Sequence, residues 1–107
     1  MRLDPFHAPL ASCFVGVAHF MLEEYSEALA LLRDYASRVP QAAFGHLWLA
    51  ATCAQLGQLD EARAEMAELL RLRPGYTIGA ARRLAGFKHA KDNKHFFDAL
   101  REAGLPE

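Results

Sequence analysis

The sequence predicts an all-α fold, and three observations carry that expectation. Alanine supplies 20 of the 107 residues and leucine 16, and both favour helices. The residues that favour strands through β-branching are scarce: Val15, Val17, Val39, Ile78, Thr52 and Thr77 are the whole set. Apolar residues recur at three- and four-residue spacing, the period of a helix with one buried face. An all-β fold is therefore nearly excluded, and a parallel α/β sheet is disfavoured.

The elements follow in order. Leu10 to Leu22 and Ser26 to Arg38 carry the helical period. In the second of these, Tyr25, Ala28, Leu29, Leu32 and Ala36 share one face, while Glu24, Glu27 and Arg33 lie off it. Phe44 to Leu56 and Asp60 to Leu72 repeat the arrangement, with Gly57 as the turn between them. Pro40 and Pro74 each follow a second helix, where proline fits because it cannot continue one. A further pair is expected at Thr77 to Phe87 and Lys91 to Ala103. Gly104 then stops the last helix, with Pro106 just beyond it.

Sliding the chain against itself by 34 residues explains this regularity. Gly16 falls on Ala50, Leu22 on Leu56, Tyr25 on Leu59, Glu27 on Glu61, Ala28 on Ala62, Leu32 on Met66 and Pro40 on Pro74. The order within each unit is small, bulky, acidic, alanine, bulky, proline. Gly16, Ala50, Ala28 and Ala62 are expected where helix backbones cross closely.

With these residues in place, the sequence resembles the tetratricopeptide repeat (TPR) family, whose signature has the same period. Val15-Gly16, Ala28, Leu32 and Pro40 fill its slots in the first unit; Leu49-Ala50, Gly57, Ala62, Met66 and Pro74 fill them in the second. The tryptophan slot instead holds Ser12 and His46, and the tyrosine slot holds His19 and Cys53. The resemblance implies a single TPR-like solenoid domain over 1–107. Its parts are a leader or the end of a preceding repeat (1–8), repeat one (9–42), repeat two (43–76) and a degenerate capping pair (77–107). The closing segment, with Pro74-Gly75-Tyr76-Thr77, Arg82-Arg83-Leu84, Phe96 and Leu100 to Glu107, is similar to the C-terminal TPR regions of bacterial class III adenylate/guanylate cyclases. That likeness implies a C-terminal scaffold or regulatory part of a larger bacterial protein.

Composition narrows the function. No apolar run approaches the ~20 residues that span a bilayer, and the N-terminus lacks the layout of a signal peptide. The two cysteines, Cys13 and Cys53, are too few for a disulfide scaffold. A reducing cytoplasm is the expected setting. Catalysis is not expected: neither cysteine has a flanking basic residue, and no phosphate loop occurs. The spacings Cys13–His19 and His89–His95 do not set ligands on one helical face, so no metal or other cofactor is expected.

Two surfaces remain. The resemblance implies a concave groove lined by first helices, here Cys13, Phe14, Val17, Phe20 and Met21, then Leu47, Trp48, Ala51 and Gln55, with Phe44 beside them. It lacks the lysine, asparagine and arginine of carboxylate-clamp relatives, so an amphipathic helix or hydrophobic peptide is the expected partner. A second copy, or the chain's own last helical pair, is the other candidate cover. Phe14, Phe20, Phe44 and Trp48 are expected to supply most of the binding energy. The other surface is basic: Arg82, Arg83, Lys88, Lys91 and Lys94 face only Asp92 between 82 and 95. It offers the alternative function, a nucleic-acid or anion-binding helical module. Because net charge is −1, nucleic acid is the less favoured partner. The leading expectation is a noncatalytic protein–protein interaction or self-association module.

Overall fold

The computed structural model describes residues 8–80 and 90–106. Five helices lie within them: α1 (Ala8–Met21), α2 (Tyr25–Arg38), α3 (Ala43–Gln55), α4 (Leu59–Leu72) and α5 (Ala90–Glu102). No strand occurs among the described residues. α1 and α2 form one antiparallel hairpin, α3 and α4 a second, and α2 packs against α3 to join them. The helix expected at Thr77 to Phe87 lies mostly outside the described residues, although 78–80 begin a helix. Thr77 opens it, its Oγ1 accepting the Ala80 N–H at 3.1 Å.

The repeat is visible in the backbone itself. Glu24 N–H donates to His19 O at 2.9 Å, and Gln58 N–H to Cys53 O at 2.9 Å. Val39 N–H donates to Tyr35 O and Arg73 N–H to Leu69 O, both at 2.8 Å. Each partner in the second set lies one repeat length after its counterpart. Val39 and Arg73, both preceding proline, also share a conformation, φ −130° with ψ 68° and φ −132° with ψ 76°.

α1, α3 and α5 end in the same way: one residue turns left-handed, and the next N–H reaches back to the last-turn carbonyl. Gly57 and Gly104 take that position at φ +79° and +102°. In the first unit it falls to Glu23, at φ +63°, where a side chain crowds the backbone.

The expected small residues sit at close crossings. Gly16, Ala28, Ala50 and Ala62 are all buried, and a Cβ on Gly16 would meet Leu32 Cγ at 2.9 Å. A tighter approach arises at a position the sequence pattern did not single out. A Cβ on Gly45 would lie 2.6 Å from the Tyr35 ring, so α2 rests on α3 through an aromatic ring laid on a glycine. Tyr35 belongs to the buried face of α2 with Ala28, Leu29, Leu32 and Ala36.

α5 lies across α3. Phe96, Phe97, Ala99, Leu100, Ala103 and Leu105 are buried there. The Ile78 N–H donates to Pro106 O at 2.8 Å, tying the tail to the start of the helix after α4.

Two stability changes follow. Glu23→Gly is expected to stabilise the chain by about 1 kcal/mol, seen as a rise in Tm of about 4 °C. Gly45→Ala is expected to destabilise it by up to about 2 kcal/mol, since overpacking at ~1–3 kcal/mol against the Tyr35 ring offsets a gain in helix propensity of ~1 kcal/mol. Adding Tyr35→Leu, the residue type that Leu69 supplies in the next unit, should recover part of that loss in guanidinium melts.

Candidate functional site

The inner face of the array is built by α1 and α3. Phe20 from α1 meets Trp48 from α3 edge-on, with ring centroids 5.3 Å apart. α5 then places Phe96 on both. Its ring stacks on Trp48 at 4.2 Å and stands edge-on to Phe20 at 5.9 Å. Tyr25 joins Phe20 at 5.3 Å. Each such pair adds about 0.5–1.5 kcal/mol beyond the burial of the rings.

The ten groove positions are thereby divided. Phe20, Leu47, Trp48 and Ala51 are buried in the core, the first and third beneath Phe96. Val17, Met21 and Gln55 are half-buried. Phe14 and Phe44 keep 58% and 40% of their surface exposed. Cys13, expected in the groove with them, is instead fully buried. Of the basic positions, Arg82, Arg83 and Lys88 lie outside the described residues, and Lys91 and Lys94 are placed only as positions along α5.

Magnitude decides whether a partner displaces α5. Burying a large apolar side chain is worth about 1.5–3 kcal/mol. Phe96, Phe97, Leu100 and Leu105 together therefore hold about 6–12 kcal/mol, comparable to the ~5–15 kcal/mol that keeps a whole domain folded. α5 is a structural part of the core.

Beside the filled centre, Phe44 borders an open cavity of about 210 Å³ lined by Ala43, Leu47, Leu69, Arg73 and Tyr76. Its floor is apolar, and the exposed Arg73 supplies the one charged side chain of the lining. Sequence reasoning found Phe44 and Leu47 but not the cavity. Leu69, Arg73 and Tyr76 come from the other helix of the hairpin and the loop after it.

Polar contacts pin the units together. The Arg33 Nε–H donates to Glu61 Oε2 at 2.9 Å while its Nη2 engages Oε1, linking α2 to α4. This bond, together with a contact from the Cys53 thiol, holds the Glu61 carboxyl below its ordinary range. The buried His46 takes the tryptophan slot of its unit and serves as a brace. Its Nε2 donates to Pro40 O at 2.7 Å, and its Nδ1 lies within hydrogen-bond distance of Glu65 Oε1, at 2.7 Å. In the first unit His19 pairs with Glu24 at 2.7 Å.

Burial is the main influence on both thiols, pushing Cys13 up to about 11 and Cys53 up to about 12. Among the described residues no group of three His, Cys, Asp or Glu is placed to hold a metal ion. Among them no helix is long and apolar enough to cross a membrane.

Paired helices, inter-unit crossings on small residues and a repeating backbone define a helical-repeat protein. The chain matches the tetratricopeptide repeat family over residues 19–85 and belongs to that family, whose arrays serve as protein- or peptide-binding modules. No curated protein and no solved structure matches it. The match ends at residue 85 and identifies the repeat family alone.

The thiols provide a direct check. At pH 8, Ellman's reagent is expected to modify neither cysteine in the folded chain and both in guanidinium. Unfolded thiols titrate near ~8.5, so above that pH the unfolded state binds fewer protons than the folded one. Stability should accordingly fall as pH rises from about 9 toward 11.

Proposed function

We propose that the chain is a noncatalytic interaction module that takes its partner at the rim of the inner face. The partner presents a large apolar side chain to the cavity beside Phe44 and an acidic group to Arg73. What supports this role is the Phe96–Trp48 stack: the centre of the face is spent on the chain's own core, and the exposed aromatic next to an unfilled apolar cavity is Phe44. A cavity of about 210 Å³ receives one leucine- or phenylalanine-sized side chain. Anchoring of this kind, one apolar side chain in a pocket with a charge at its edge, is the usual form of an interface hot spot.

The likeness of the closing segment to cyclase-trailing repeats supports a further role as a regulatory appendage of a larger bacterial protein. That role rests on this likeness alone.

Selection of a displayed peptide library on the intact chain tests the rim. Enriched peptides should share a large apolar residue with an Asp or Glu within a few positions. Phe44→Glu should abolish the enrichment and Arg73→Glu should weaken it about tenfold, with helical circular dichroism unchanged. Enrichment that survives both substitutions would overturn the reading.

A further inference from the structure

We propose that α1 mediates self-association, pairing antiparallel with α1 of a second copy across a two-fold axis. This rests on the reading of the chain as an interaction module and names its partner at a second surface, away from the Phe44 cavity.

The first observation is that α1 is apolar on both sides yet covered on one. Between Ala8 and Met21 its polar side chains are Ser12 and His19 alone. Cys13, Gly16 and Phe20 point into the core. On the opposite side Ala11, Phe14, Val15, Ala18 and, just past the helix, Leu22 follow the spacing of a single stripe, and all five are exposed. Phe14, Val15 and Leu22 keep 58%, 48% and 68% of their surface. The exposed positions of α2 and α4 instead carry side chains such as Ser26, Glu27, Arg33, Asp60, Arg63 and Arg71. Helices apolar all round occur buried, and contiguous exposed apolar stripes mark interaction surfaces.

The second observation comes from the repeat. One repeat length on, Ala11, Val15, Ala18 and Leu22 become Gly45, Leu49, Thr52 and Leu56. The first three of these are buried and Leu56 is half-buried, and α2 packs on this helix with its Tyr35 ring against Gly45. The stripe on α1 is thus the counterpart of a face that a neighbouring helix already covers in the next unit.

The third observation selects a second copy as the cover. Set antiparallel to itself about a point between Gly16 and Val17, the stripe places Leu22 opposite the other copy's Ala11, and Val15 opposite its Ala18. In these two pairs large side chains meet small ones, as Tyr35 meets Gly45, and Phe14 falls opposite the other copy's His19. No acidic or lysine/arginine side chain lies along the seam, so the two-fold axis brings no like charges together. Glu23 and Glu24, at the end of the seam, approach the first turn of the opposing helix. That turn has no acidic residue of its own, and the positive end of the helix dipole favours negative charge there.

A single helix pair lies at the small end of stable interfaces, so Kd is expected in the range of about 1–100 µM. Sedimentation of the intact chain from about 5 to about 500 µM brackets that range. Dimers are expected, with Kd raised at least tenfold by Val15→Glu while helical circular dichroism persists. Ala11→Leu alone should also weaken the dimer, and Ala11→Leu with Leu22→Ala should restore it, because the swap preserves large against small. A wild-type chain monomeric throughout, as when a heterologous helix is the natural cover, would overturn the proposal. So would dimers indifferent to Val15→Glu. Phe44→Glu separates the two readings: it should leave the dimer intact while losing selected peptides. A monomer that still selects Phe44-dependent peptides would refute self-association and leave the rim standing.

Discussion

The complete burial of α3 is the constraint from which the rest follows. Every residue from Gly45 to Ala54 is buried, so this helix needs a neighbour on each side. α2 supplies one through the Tyr35 ring on Gly45, α4 supplies another as the hairpin partner, and α5 closes the inner face with Phe96 on Trp48. His46 and Thr52, its two buried polar side chains, are satisfied within that shell. His46 bonds Pro40 O and Glu65, and the Thr52 hydroxyl donates to Trp48 O at 2.8 Å. An unpaired polar group at such depth would cost about 1–3 kcal/mol, so the shell must be polar at these points.

Covering α3 has a functional consequence. In an open array the aromatic inner face is the recognition surface, but here its centre is occupied by the chain's own last helix. On the reading proposed above, recognition moves outward, to the cavity that Phe44 borders and to the outer stripe of α1. α1 shows what α3 would look like without its neighbours: the same alanine-rich, nearly uncharged helix with one side left to water.

Much of this was legible in the residues. The expected spans Leu10 to Leu22, Ser26 to Arg38, Phe44 to Leu56, Asp60 to Leu72 and Lys91 to Ala103 fall within two residues of the observed helix ends. Such agreement arises because apolar period, glycine stops and proline boundaries are local signals. The burial of Gly16, Ala28, Ala50 and Ala62 was also readable, since their recurrence has a steric reason. The Tyr35–Gly45 contact was not, because it joins two units and neither residue stands out in its own. The division of the groove residues was hidden for a related reason. A periodic pattern marks Phe20 and Trp48 as one apolar face but carries no record of which helix covers it.

The sequence by itself determined the helices, their pairing into hairpins and the family, because these depend on local propensity and on a repeat that recurs along the chain. Only the tertiary structure decided that Phe96 fills the inner face, that Phe44 stays at its rim beside a cavity, and that the outer side of α1 remains uncovered. Those outcomes depend on where α5 settles after a break in the repeat. That position is set by non-local packing, in which aromatic rings from three helices compete for one volume.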